Sequence, residues 1–403
     1  MADTKALQQP IALKAATAAF IAVWATVAAF PLLWIVVMSF KLPLDAFAED
    51  PLQVIVGYRT LEERGGLSII GIVVGIAAFI LAVRTPVWFG HAIVKRLTPS
   101  DYRPVGWIAF ALAYLVALAV FAWWLVPGVV NLLEAVLSPI PGVGALARPL
   151  FGLTVEHYEA VWAGYGFYRN FINSLIITFG TVAISLTVGT LAGYALARTG
   201  TSLAFWILIS ALIFRALPHS VLVTGYLPPF INSRELLTPL WNAPVIGNLL
   251  QLFSAAPPTL YGQPLAVIMV LVSINQPFTI WMLRSFFQNI PPELDEAARV
   301  DGCSHFGAFR RVIMPVMWPG VITTGLFSFL LAYNDYLVCS LLLDAQSQTM
   351  VPAITGFFNR ETTTTDQVQA VAAAVSITAP LFLLVMVFQK QLVSGLTAGA
   401  VKG

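Results

Sequence analysis

The sequence predicts an all-α polytopic membrane protein with about eight transmembrane helices and a charged cytoplasmic loop, on three observations. Of its 403 residues, 59% are hydrophobic and 10% are charged, against about 25% charged residues in soluble domains. Apolar runs recur at about the 20-residue length that a bilayer core about 30 Å thick demands of a helix. The densest cluster of charge, in "PPELDEAARVDGCSHFGAFRRVIMPVMWPG" at 291–320, lies between two such runs.

The first run, roughly 12–39, holds the stretch "AATAAFIAVWATVAAFPLLWIVVMSF", which is longer than the apolar core of a secretory signal and follows a short basic leader with Lys5 and Lys14, so it is expected to be an uncleaved anchor helix. Runs at 68–89 and 106–130 form a pair joined by the basic loop "GHAIVKRLTPSDYR", and Gly71 and Gly75 have the G-x-x-x-G spacing of tight helix packing. Next come 171–196 and 203–225. Arg215 belongs to the second of these, in "FRALPHS", where Pro218 would break the helix and free carbonyls; a gate or pathway role is the other reading. Gly189 and Gly193 are expected to be close-packing points. The remaining runs are 264–285, 319–339 and 368–388, with Asn334 and Asp335 near one end of the penultimate run. The segment at 230–262 is expected to be a loop.

Orientation follows from the excess of Lys and Arg in cytoplasmic loops. With both termini inside, the inner segments hold 13 of the 21 Lys and Arg but six of the 19 acids. That places 291–320 in the cytoplasm. Cys303 and Cys339 then lie at opposite faces, and the four histidines, His91, His157, His219 and His305, are scattered, so neither a disulfide nor a metal centre is expected. The net charge of +2 gives no reason to expect a nucleic-acid partner. Ionisable residues at membrane depth are few, Arg215 and Asp335, which argues against a proton relay. No G-x-x-x-x-G-K-[ST] phosphate loop is present, so any ATP-driven work needs another subunit.

Within 291–320, paired prolines open a helix whose first turn holds Glu293, Asp295 and Glu296, acids favoured by the helix dipole. Arg310 and Arg311 suit a helix C-terminus. Between them "DG" marks a turn, with Asp301 able to cap the second helix and Gly302 free to take a positive φ. The expectation is two short interfacial helices about a tight turn, held to the membrane by Ile313, Val316, Met317 and Trp318, with Ala297, Ala298 and Gly302 allowing another backbone close approach.

The spacing Glu296-Ala297-Ala298, three residues, Gly302, nine residues, then Val312-Ile313-Met314-Pro315 resembles the cytoplasmic signature of ABC importer permeases. "SFKLPLDAFAEDP", "LTVEHYEAVW", "FYRNFINSLIIT", "GTLAGYALAR", "FSFLLAYNDYL" and "GLTAGAVKG" are similar, in order, to the sugar-importer, maltose-type branch of the binding-protein-dependent permease family. This resemblance implies a half-pore that is not itself an enzyme. Its implied partners are a second permease subunit in a heterodimer, two cytoplasmic ABC ATPase subunits that bind the ATP, an extracytoplasmic solute-binding protein, lipid and a sugar-like substrate. Glu296, Ala297, Ala298, Asp301, Gly302 and Pro315 become the ATPase-coupling residues, and Arg215, Asn334 and Asp335 candidates for pore or gate. No catalytic, cofactor or metal residues are implied. Residues 1–403 would form a single transmembrane domain, with 57–149 as an insertion of two extra helices and 286–317 as the coupling loop. A permease for another polar solute, such as a glycerol phosphate or polyol, and a membrane enzyme acting on lipid-linked sugar are the alternatives.

Overall fold

Helices dominate a chain this apolar because every backbone polar group at membrane depth must be satisfied within its own segment. The computed structural model describes residues 11–85, 116–199, 202–215, 219–252, 254–358 and 363–398, with isolated positions between 90 and 114. Among the described residues, six helices are long and apolar enough to cross a membrane: α1 (Ala12–Ser39), α3 (Val116–Leu137), α4 (Phe167–Thr199), α7 (Pro264–Gln288), α9 (His305–Tyr333) and α10 (Thr364–Gln389). Two further expected spans are described in part. The run at 68–89 gives α2 (Ile69–Thr85), whose 17 residues rise about 26 Å. The run at 203–225 is described as α5 (Ser202–Arg215) and α6 (His219–Ile231); residues 216–218 between them, Pro218 included, lie outside the described residues, as do most of the loop at 90–103 and the tail beyond 398. The expected loop at 230–262 contains two short helices, Ser233–Trp241 and Ile246–Gln251. They close on each other because the indole of Trp241 donates to the Ser254 carbonyl (3.0 Å) and Gln251 Nε2 donates to the Trp241 carbonyl (3.0 Å).

The chain forms two units, 1–158 with 362–372, and 159–361 with 373–403. In the first, strands β1 (Gly66–Ser68) and β2 (Pro149–Gly152) pair antiparallel, Gly66 opposite Gly152. Of the G-x-x-x-G pair, Gly71 meets a neighbour: a methyl placed there would lie 3.6 Å from Val130 of α3, whereas no described residue comes within 4 Å of one at Gly75. The first unit has a polar core. Asp45, fully buried, accepts hydrogen bonds from the Thr60 amide (2.7 Å) and hydroxyl (2.7 Å), the Arg59 amide (3.3 Å) and Gln53 (3.4 Å). Burial opposes ionisation of Asp45, but these bonds outweigh it and hold the carboxyl below its ordinary range. Beside it, Lys41 is buried and donates to the carbonyls of Val56 (3.2 Å) and Gly152 (2.5 Å). Burial draws the Lys41 ammonium down, with the Asp45 charge pulling the other way.

His157, also buried, donates from Nε2 to the Lys41 carbonyl (3.0 Å). Burial lowers its pKa, with Glu156 opposing. Because the folded-state value lies below the unfolded one, about 6.5, protonation favours unfolding; the stabilisation is complete above that pH and declines as pH falls through it. Amide exchange at 41–60 and 152–158, corrected for intrinsic rates, is therefore expected to accelerate between pH 7.5 and 5.5. The acceleration should vanish in His157→Gln; a wild-type profile flat over this range would contradict the assignment.

In the second unit α4 lies along α7 and α9. The glycines of "GTLAGYALAR" set the spacing: a methyl at Gly189 would lie 2.6 Å from Thr279 Cγ2, and one at Gly193 3.0 Å from the backbone nitrogen of Arg284. One apolar cluster gathers Ile177, Leu271, Val338 and Leu342, and another Leu283, Phe287, Phe309, Ile313 and Met317. A polar seam runs through the unit, in which Asn275 donates to Ser328 Oγ (2.7 Å) and Gln276 to the Ser185 carbonyl (3.3 Å).

Candidate functional site

The charged stretch begins as expected. Helix α8 (Glu293–Val300) follows Pro292 at its N-cap and places Glu293, Asp295 and Glu296 in its first turn. It ends in a Schellman closure: the Cys303 amide donates to the Ala298 carbonyl and the Gly302 amide to that of Arg299, both at 3.0 Å. Gly302 carries the closure with φ of +86°, as the "DG" signal implies.

Three expectations fail. Asp301 terminates α8 and does not cap the following helix; Ser304 does, accepting from the Gly307 amide (3.1 Å) with its backbone extended. The second helix is not separate, for α9 continues from His305 to Tyr333. Arg310 and Arg311 therefore lie inside it, in a π-helical turn at Phe309–Ile313, where one residue too many for the α-helical ladder is accommodated without a break. Of the four expected anchors, Ile313 and Met317 are buried in the second apolar cluster, whereas Val316 and Trp318 are exposed. Ala298 also packs inward, leaving Glu296, Ala297, Asp301 and Gly302 exposed, with Pro315 exposed in the first turn after the π segment.

The residue that fixes α8 is one the spacing did not single out. Asp295 turns inward, its Oδ1 accepting from the Tyr194 hydroxyl (2.6 Å) and its Oδ2 from Arg198 Nε (2.8 Å). Arg198 Nη1 donates to the carbonyls of Ile290 (3.1 Å) and Phe287 (3.4 Å). The end of α4 thus holds both the end of α7 and the start of α8. A signal existed: Tyr194 and Arg198 stand four residues apart, hence on one face, at the end of a long membrane-spanning helix. Outside this clamp, the apex exposes Val300 (88%) and Phe306 (64%) among the charges, apolar side chains that solvent alone does not favour.

The family described as the binding-protein-dependent transport system inner membrane component matches residues 185–397. The chain belongs to that family. It is accordingly a multi-pass inner-membrane transport component rather than an enzyme. The trehalose transport system permease protein SugB of Mycobacterium tuberculosis is 31% identical to this family member, over 62% of this chain and 83% of SugB. The diacetylchitobiose uptake system permease protein DasC of Streptomyces coelicolor is 34% identical, over 62% of this chain and 82% of DasC. The probable ABC transporter permease protein y4oR of Sinorhizobium fredii is 28% identical, over 76% of this chain and 98% of y4oR.

The other candidates of this permease lie apart from α8. Arg215 of α5 stacks its guanidinium over the Phe278 ring of α7 at 4.8 Å. Asn334, exposed, closes α9 by donating to the Leu330 carbonyl (2.9 Å), and Asp335 accepts from the amides of Val338 (2.9 Å) and Cys339 (3.1 Å), opening the helix Leu337–Leu342. This pair therefore caps two successive helix ends. Asn173 and Ser174 tie α4 to 346–350: Asn173 donates to the carbonyls of Gln346 and Gln348 (both 3.2 Å), and the Met350 amide donates to the buried Ser174 hydroxyl (2.9 Å). Among the described residues no cluster of His, Cys, Asp or Glu could hold a metal.

Proposed function

We propose that this chain is the permease subunit of a binding-protein-dependent ABC importer for a carbohydrate or carbohydrate derivative. It forms half of the translocation pore beside a second, different permease subunit, and a solute-binding protein delivers substrate from the outer side. Residues 286–317 couple this half-pore to ATP hydrolysis by two separate cytoplasmic ATPase subunits. In this reading both termini face the cytoplasm, residues 1–403 are one transmembrane domain, and 57–149 adds a peripheral helix pair. The relatives named for trehalose and diacetylchitobiose favour the sugar assignment.

The observation that carries the coupling role is the apex of α8. An exposed row of Glu296, Ala297, Asp301 and Gly302, flanked by exposed Val300 and Phe306, is held in one orientation by the buried Asp295 contact. Such a surface combines a small-residue close-approach point, an apolar anchor and a charge for a basic partner. Pro315 starts the following helix without needing an amide donor, and Arg215 and the Asn334–Asp335 pair remain candidates for shaping the pore.

Gly302 gives the test. Among the described residues no atom approaches within 4 Å of the place its side chain would occupy, so a large residue there has open space. Gly302→Trp is expected to reduce co-purification of the ATPase, and ATP-driven uptake, at least tenfold. Gly302→Ala, which carries the same backbone strain of about 1–2 kcal/mol without the bulk, should keep most of both. Equal association of the wild type and the Trp variant would remove the coupling assignment.

A further inference from the structure

We propose that Asp295, Arg198 and Tyr194 form a transmission latch, in which Arg198 is the positioning residue that makes α8 and the ends of α4 and α7 move as one body. The inference rests on the coupling role of α8, and concerns how a displacement there would reach the membrane.

A helix of eight residues at the tip of a loop would otherwise rock on its two connections. Apolar packing alone would resist sliding weakly, since dispersion has no preferred direction. The latch contributes what apolar packing lacks. Arg198 joins three separate segments: through Nε it holds the Asp295 carboxylate of α8, through Nη1 it holds the carbonyls of Phe287 at the end of α7 and of Ile290 beyond it, and its own backbone belongs to α4. Tyr194, one turn earlier, takes the other carboxylate oxygen, so the carboxylate cannot pivot about a single bond. The guanidinium is planar and its hydrogen-bond directions are fixed, which makes it a stiffer link than an ammonium.

Stability alone is a poor reason for this arrangement. The two side chains are 18% and 11% exposed, and ion pairs withdrawn from water are commonly no more stabilising than apolar residues of the same volume. Arg198 Nη2 is moreover buried with no hydrogen-bond partner among the described residues, a further unfavourable contribution. The return is directional rigidity between the exposed apex and α4, which lies along α7 for much of its length. A push on Glu296 or Ala297 is then delivered to α4 and α7 together.

The test separates rigidity from folding. The full chain is assembled in lipid nanodiscs with its partner permease and ATPase subunits, and ATP hydrolysis is measured without and with its binding protein as purified. The double variant Arg198→Met, Asp295→Leu replaces the latch with apolar side chains of similar size. It is expected to assemble and to keep basal hydrolysis within twofold of wild type, while stimulation by the binding protein falls at least fivefold. Tyr194→Phe, which removes one hydrogen bond, should lose stimulation about twofold. An assembled double variant with wild-type stimulation overturns the latch. If the double variant does not assemble, Tyr194→Phe decides, and wild-type stimulation in that variant overturns it too. Failure of the underlying coupling role looks different, since the unmodified chain itself would then bring down no ATPase.

Discussion

Asp45→Ala is expected to destabilise the first unit by about 3–5 kcal/mol, the cost of removing one partner from a buried charged cluster. Three losses combine. The Thr60 amide and hydroxyl lose their acceptor, as do the Arg59 amide and Gln53. Lys41, 4% exposed, loses the nearby countercharge that supports its ammonium form. The three short helices at 43–64 lose the group that their loops wrap around. Exchange of the Thr60 and Arg59 amides should accelerate at least a hundredfold, since each factor of ten corresponds to about 1.4 kcal/mol. Asp45→Asn, which keeps the shape and half of the acceptors, should cost less. Unchanged protection at Thr60 in the Ala variant would show that the carboxylate does not organise this region.

Gly193→Leu is expected to separate α4 from α7 and to abolish recovery of folded protein from the membrane. A methyl alone would sit 3.0 Å from the Arg284 amide nitrogen and 3.1 Å from Leu283 Cβ, so backbone rather than a flexible side-chain end is in the way. Overpacking typically costs about 1–3 kcal/mol; here the three further carbons of leucine add to a gap already closed. The displacement would also carry Arg198, one turn and a half along α4, away from Asp295. Gly225→Leu is the control, because no atom of the described residues lies within 4 Å of that position. Equal yields of monodisperse Gly193→Leu and Gly225→Leu proteins would refute tight packing at this crossing.

Much of this fold follows from the spacing and chemistry of residues close together in sequence. Long apolar runs bounded by charge give the spans, and "DG" gives the turn at Gly302, because both depend on local backbone preferences. What depends on contacts between distant residues is harder to read: the expected loop at 230–262 holds two short helices that Trp241 and Gln251 close on each other. Capping by Ser304 rather than Asp301 was equally hidden. Both residues favour that role, and the Schellman closure, which takes Asp301 and Gly302 into the end of α8, decides between them. The candidate site was legible as a motif but not as a structure. Glu296 and Gly302 stand exposed as the motif implies, whereas Asp295 draws its significance from Arg198, which lies 97 positions earlier. Hydrogen bonds across that separation leave no periodic trace.

The π-helical turn at Phe309–Ile313 bears on how such chains can gain or lose residues. In a regular α-helix a single deletion rotates everything beyond it by about 100°, turning lipid-facing side chains toward the interior. At a π turn the surplus residue is already absorbed locally. Deletion of one residue there would restore the ordinary ladder while Met317 and Val321 kept their faces. The nine-residue interval between Gly302 and Val312 is thus a count along the chain whose length evolution can change by one without redrawing the span.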